Sequence, residues 1–260
     1  MQQTGLITGA SSGIGRALAH EHAKRGRDLV VVARREDELN ELAAELKNKY
    51  GVEVRVIAQD LIEEGACQKI YDRLKSEGTQ VDYLFNNAGF GGYGKFVERD
   101  LEKDLSMIDL NIKSLVKLSH LFLEDMTARR RGWVLNTSST AGFMPGPLQA
   151  TYFATKAFVN SFSQALAEEV GNTGVVVTAL CPGAVATEFA QEADLDGAEM
   201  FKNAATPEST ARKGYEALEA GELKVISDTK LKWLIRLGLP LMPMRTKLKM
   251  IRKMQEQEGK

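Results

Sequence analysis

The sequence predicts a doubly wound α/β domain: a parallel sheet of about seven strands with helices on both faces. Three observations carry that expectation. Short apolar, β-branched runs alternate with longer segments of helical periodicity. One run, Leu29–Ala33, is apolar throughout, as a strand buried on both faces requires. The 260 residues, 43% of them hydrophobic, suit one domain with a proper core.

In chain order, Gly5–Thr8 reads as a brief strand, then a glycine cluster, then a helix opening at Gly13. Leu29–Ala33 is the second strand. Glu36–Tyr50 is a helix with Leu39, Leu42, Ala43 and Leu46 on one face, ended by Gly51. Val52–Ala58, Val81–Asn86, Trp133–Ser138, Val175–Leu180 and Leu223–Ser227 supply the remaining strands. The patterns at Glu63–Gly78, Leu101–Arg130, Ala150–Val170 and Pro207–Ala220 supply the helices between them. Such βαβ units cross over right-handed.

Composition narrows the function. With 34 Lys+Arg against 35 Asp+Glu, the net charge of −1 argues against a nucleic-acid partner bound by the whole surface. Cys67 and Cys181 are too few for a disulfide framework, and their spacing offers no metal site. The N-terminus has neither the basic start nor the apolar run of a signal peptide, and no apolar stretch reaches membrane-spanning length, so a cytoplasmic protein is expected. Charge is concentrated at one end: residues 230–260 carry nine Lys/Arg and two Glu, which leaves residues 1–229 acidic.

The first strand–helix turn reads Thr8-Gly9-Ala10-Ser11-Ser12-Gly13-Ile14-Gly15. Glycines there let backbone N–H groups approach a pyrophosphate, and the helix directs its partial positive end at the anion. No Gly-Lys-Ser/Thr follows, which excludes a Walker A loop. The second strand ends Ala33-Arg34-Arg35, with no acid before Glu36 to hold a ribose 2′-hydroxyl. Arg34, with or without Arg35, instead suits a 2′-phosphate, so NADP(H) is preferred over NAD(H).

Tyr152 and Lys156, at i and i+4 on a helix, share a face, and an ammonium beside a phenol favours its ionisation. Ser139 follows a strand thirteen residues before Tyr152. Asn86-Asn87-Ala88-Gly89 ends the fourth strand, and Pro182-Gly183 ends the sixth. All fall at strand carboxyl ends, where open parallel sheets bind ligands.

In these motifs, in their order and spacing, the chain resembles the single-domain form of the short-chain dehydrogenase/reductase family over about residues 4–227, with a Rossmann-like fold. The resemblance implies a tetrad. Tyr152 is the general acid/base, Lys156 lowers its pKa and holds the nicotinamide ribose, Ser139 polarises the carbonyl oxygen, and Asn111 holds a water linking Lys156 to solvent. Ser138 is the rival serine; alternation along the strand allows only one of the two to face the cleft. Cofactor contacts are implied at Gly9, Ser11, Ser12, Gly13, Ile14, Gly15, Arg34, Asp60 (adenine), Asn87 (adenosine ribose), Pro182, Gly183, Val185 and Thr187 (carboxamide), besides Tyr152 and Lys156.

The reaction so implied moves a hydride between the cofactor and a carbonyl carbon, as in a carbonyl reductase or alcohol dehydrogenase. Phe90, Phe143, Met144 and Phe189, with Phe201 further on, are the substrate-side residues, apolar enough for a hydrophobic ketone, aldehyde or alcohol. Residues 230–260 form a separate extension, read as a lid, an oligomer contact or a membrane-surface helix, with Pro240 and Pro243 interrupting any long helix. A homodimer or homotetramer through the helices of 101–130 and 152–170 follows from the resemblance. A non-catalytic NADP-binding regulator, or a membrane-peripheral protein on the same fold, is the alternative.

Overall fold

The computed structural model describes residues 3–193, 195, 201 and 204–256. Most of the stretch between Phe189 and Phe201, and the last four residues of the basic extension, lie outside them. Seven parallel strands form one sheet: β1 (Thr4–Thr8), β2 (Asp28–Ala33), β3 (Val54–Ala58), β4 (Tyr83–Asn86), β5 (Gly132–Thr137), β6 (Val175–Cys181) and β7 (Lys224–Ile226). Their order is β3-β2-β1-β4-β5-β6-β7, so the winding reverses between β1 and β4.

Successive strand residues feed two separate cores. Ile7, Leu29, Val31, Phe85 and Leu135 face helices α1 (Gly13–Ala23), α2 (Glu36–Tyr50) and α8 (Pro207–Glu219). Leu6, Val30, Val32, Leu84 and Val134 face the other way, toward α3 (Ala66–Ser76) and α5 (Leu115–Ala128). With period-two alternation and both faces apolar, the central strands are buried twice, which is why Leu29–Val32 contains no polar residue.

The 101–130 segment is not one regular helix. α4 (Leu101–Ile108) runs into a single π-helical stretch, Asp109–Ser114, before α5 begins. No glycine or proline marks this widening. α6 (Ala150–Glu169) follows β5 through a short 3₁₀ turn, Thr140–Phe143. After β6 come the short α7 (Phe189–Glu192) and then α8. Beyond β7, the chain forms α9 (Thr229–Trp233), a π-helical stretch at Leu234–Gly238, α10 (Leu239–Leu241) and α11 (Met244–Gln255). This end folds back onto the domain. Ile235 and Leu239 pack with Ala179, Cys181 and Ile226, while Ile251 packs on Ala141 and Phe153.

Candidate active site

A single cleft runs along the carboxyl ends of β1, β2, β4, β5 and β6, across the point where the winding reverses. One end is built by the glycine turn. Gly9 and Gly13 adopt φ of +66° and +52°, conformations that glycine takes at no steric cost. A β-carbon on Gly15 would fall on the carbonyl oxygen of Gly9, and one on Gly13 would lie 2.9 Å from Thr187 Cγ2. Ser12 heads α1 without a side-chain cap, so its first N–H groups remain turned toward the cleft.

This end fits a dinucleotide. The glycine cradle has the shape and the N–H groups for a pyrophosphate. Arg34 lines the cleft, is exposed, and forms no ion pair among the described residues. Arg35 is engaged differently: it bridges Glu188 (2.9 Å) and Glu38 (3.1 Å) and donates to Ser11 Oγ. That carboxylate contact raises the Arg35 pKa and lowers that of Glu188. Asp60 lines the same end, its Oδ1 accepting from the N–H of Ile62 at 3.1 Å. Ser11, Ser12, Ile14, Pro182, Gly183, Val185 and Thr187 all border the cleft.

Asn87 borders it too, but its carboxamide is bound to the protein. Nδ2 donates to the Thr8 carbonyl at 3.1 Å, and Oδ1 accepts from Thr137 Oγ1 at 3.3 Å. The residue ties the ends of β1, β4 and β5 together beneath the glycine turn.

The other end gathers titratable groups. Ser138 and Ser139 both border the cleft but are bonded differently: Ser138 Oγ donates to the Lys156 carbonyl at 2.7 Å. Ser139 Oγ caps the 3₁₀ turn by accepting from the N–H of Ala141 at 3.1 Å and lies beside the Tyr152 phenol. Lys156 Nζ donates to the Thr137 carbonyl at 2.9 Å and sits 5.8 Å from the Tyr152 ring centre.

Burial dominates both pKa values. Tyr152 is pushed up to about 12 by desolvation, which the Ser139 hydroxyl only partly offsets. Lys156 is lowered to about 8, again by desolvation, with Cys181 opposing weakly. The phenol therefore keeps its proton throughout the neutral range, while the ammonium is poised near it.

Asn111 sits in the π-helical stretch. Its Nδ2 donates to the Phe90 carbonyl (3.0 Å) and Thr155 Oγ1 (3.1 Å), and its Oδ1 accepts from the Phe90 N–H (3.1 Å). A β-carbon on Gly89 would meet both Asn111 Oδ1, at 2.7 Å, and Lys156 Nζ, at 3.4 Å. Both groups thus lie close against Gly89.

Phe90, Met144, Phe189 and Phe201 line this end, and Phe189 lies against Tyr152 with ring centres 5.3 Å apart. Phe143 does not reach the cleft. It packs beneath the C-terminal helices with Ala179, Ile226 and Leu231, and Lys224 Nζ lies 5.5 Å from its ring. The 3₁₀ turn aims Met144 inward instead. Gln149, Leu231, Ile251 and Gln255 also belong to the wall. Three of these come from the C-terminal extension, whose place over the cleft depends on long-range packing rather than on any local motif.

A Rossmann-like sheet with a glycine turn at its switch point defines a dinucleotide-binding fold, here with a tyrosine, a lysine and a serine gathered in the same cleft. The model of the short chain dehydrogenases matches residues 3–197, and the chain belongs to that family. It is 40% identical over 192 residues to a very-long-chain 3-oxoacyl-CoA reductase of Anas platyrhynchos, covering 72% of this chain and 61% of that one. The chain thus spans about three fifths of that relative's length. It is 33% identical over 226 residues to a 7beta-hydroxysteroid dehydrogenase of Collinsella aerofaciens, covering 86% and 85% of the two chains. A short-chain dehydrogenase from Sphingobium yanoikuyae, solved in complex with NADPH, superposes with a TM-score of 0.83 at 32% identity, covering 92% and 93%.

Proposed function

We propose that the chain is an NADP(H)-dependent oxidoreductase that interconverts a hydrophobic ketone or aldehyde and its alcohol. The observation that carries this reading is the meeting of the Tyr152 phenol, the Ser139 hydroxyl and the Lys156 ammonium where the cleft walls turn apolar.

Bound nicotinamide supplies the hydride, or accepts it in the reverse direction. The protein's part is orientation and the proton. Ser139 donates a hydrogen bond to the carbonyl oxygen and polarises it. Tyr152, protonated at neutral pH, gives its proton to the same oxygen as charge develops there. Lys156 stabilises the phenolate left behind, and Asn111, anchored to Phe90, stands beside that ammonium on the route to solvent. Arg34 takes the 2′-phosphate, because Arg35 is already engaged by two carboxylates. The 3-oxoacyl and hydroxysteroid classes named for the relatives are the first substrates to try.

Two surface features support further parts of this reading. Leu101, Leu105 and Phe158 are exposed on helices that pack together, which suits a homodimer or homotetramer. Trp233, Leu237, Leu241 and Met244 are exposed among basic residues, which suits peripheral contact with a membrane, and no described helix is long and apolar enough to cross one.

The test is NADPH oxidation by purified protein over a panel of carbonyls. Tyr152→Phe is expected to retain NADPH binding while turnover falls by about 10²–10⁴-fold. Turnover by that variant at the wild-type rate overturns the assignment.

A further inference from the structure

Among the residues lining the substrate end of the cleft are two buried carboxamides that the reaction does not use. Gln149 and Gln255 are 3% and 2% exposed, and both line the cleft. The side-chain oxygen of each is buried and has no hydrogen-bond partner among the described residues. The two residues come from different elements. Gln149 immediately precedes α6, and its carbonyl accepts from the Phe153 N–H at 3.0 Å, which fixes it one turn before Tyr152. Gln255 ends α11, one turn beyond Ile251, which packs on Ala141 and Phe153, while Met250 reaches the same cluster as Tyr152.

A buried amide oxygen that meets no donor carries its desolvation cost uncompensated, and a leucine of similar volume would avoid that cost. Two such amides in one apolar chamber make sense when something entering the chamber meets them. We infer that Gln149 and Gln255 form a polar reading point that accepts a hydroxyl or amide group carried by the substrate away from its reacting carbonyl. This inference rests on the reductase reading and narrows its substrate to an apolar ketone with a second hydrogen-bonding group. Each amide offers either a donor or an acceptor after rotation about its last torsion, so hydroxyl and amide N–H are served alike. A chamber holding buried polar groups rejects an analogue that lacks the matching group, because binding then leaves them unpaired.

The experiment uses matched probes with the full chain and NADPH. One pair is a ketosteroid with a remote hydroxyl and its deoxy counterpart. The other is a 3-oxoacyl thioester of N-acetylcysteamine and the thioester of an alkanethiol of equal length that lacks the amide. Wild-type protein is expected to favour the polar member of one pair by about tenfold or more in kcat/KM, and that pair identifies the source of the group. Gln149→Leu and Gln255→Leu are each expected to cut this preference to about threefold or less, chiefly by raising KM for the polar probe. Their melting temperatures should be unchanged or higher, since an unpaired amide has been removed.

A wild-type preference that survives in both variants overturns the inference. So does a lowered melting temperature in both, which would mark the amides as structural. Wild-type turnover without preference in either pair overturns it and leaves the reductase reading intact. A wild type that reduces none of the probes overturns both.

Discussion

Lys156 holds a charge in a place that disfavours it. Burial lowers its pKa from 10.5 to about 8, so between those values the unfolded chain binds more protons than the folded one, and stability rises with pH across that window. Below about pH 8 the cost is present in full, roughly 3 kcal/mol at 1.36 kcal/mol per unit, less what the hydrogen bond to the Thr137 carbonyl returns. Lys156→Met is therefore expected to raise the melting temperature at pH 7 by several degrees while abolishing turnover, and the gain should shrink toward pH 10.5. The same titration predicts that kcat/KM for reduction is level below about pH 8 and falls above it, as the ammonium that supports the tyrosinate is lost. A scan calorimeter and a pH–rate profile check the two halves. A methionine variant less stable than wild type at pH 7 would contradict the first.

Arg34 and Arg35 separate at the same scale. The sequence reading places the phosphate on Arg34, with or without Arg35, and the carboxylates of Glu38 and Glu188 engage Arg35. Arg34→Glu is expected to weaken NADPH by about tenfold or more with little change for NADH, the loss of a charge-assisted phosphate contact. Arg35→Ala should do much less. Binding titrations with both cofactors decide it, and equal weakening of NADH and NADPH would remove the 2′-phosphate from the argument. Ser138 and Ser139 both lie just past the end of β5, where alternation along a strand no longer applies, and their hydrogen bonds distinguish them instead: Ser138 Oγ donates to the Lys156 carbonyl, and Ser139 Oγ accepts from the Ala141 N–H. Phe143 and Met144 were not separable from sequence either, because Phe143 ends a 3₁₀ turn and Met144 caps it, where no alternation rule applies.

At the scale of elements, the strands and most helices were legible because a doubly buried strand and an amphipathic helix write different periods into the chain. Glu36–Tyr50 reads identically in sequence and structure, with an acidic first turn and Gly51 in the left-handed conformation at its end. The glycine turn was legible for the same reason: its residues are dictated by backbone shape. Gly15→Ala should accordingly damage dinucleotide binding, since its methyl group meets the Gly9 carbonyl oxygen and must push the turn open. The expected result is a folded protein whose NADPH affinity falls by about tenfold or more, measured by fluorescence of the bound cofactor beside circular dichroism. Wild-type affinity would show that the turn yields without consequence. The π-helical stretch at Asp109–Ser114 left no mark in the sequence. It arises where Asn111 must reach Phe90 and Thr155 on neighbouring elements, and a demand set by packing has no local signature.

At the scale of the whole molecule, surface charge and exposed apolar area divide the protein into two faces with different expected partners. On one, Leu101, Leu105 and Phe158 project from α4 and α6, with Phe162 stacked beside Phe158 at 5.5 Å. On the other, Trp233 (58% exposed) and Leu241 (86%) stand among Lys232, Arg236, Arg245, Lys247 and Lys249. A subunit contact needs complementary apolar faces, whereas an anionic lipid surface rewards apolar side chains interleaved with cations, at about 1 kcal/mol per Lys or Arg near the surface. Because the second face belongs to the segment that also walls the cleft through Leu231, Ile251 and Gln255, lipid contact would sit at the substrate's entrance. The two faces should therefore fail independently. Leu105→Lys with Phe158→Lys is expected to reduce the proposed oligomer to monomer in light scattering while vesicle binding persists. Trp233→Glu with Leu237→Glu is expected to abolish flotation with vesicles containing phosphatidylserine, and to leave the oligomer intact. Flotation of the wild type should weaken as salt rises from about 50 to 500 mM, because exposed charges are screened over a shorter distance. Loss of both properties in either double variant would mean one shared interface, with α9–α11 acting as part of the subunit contact rather than as a membrane-facing wall.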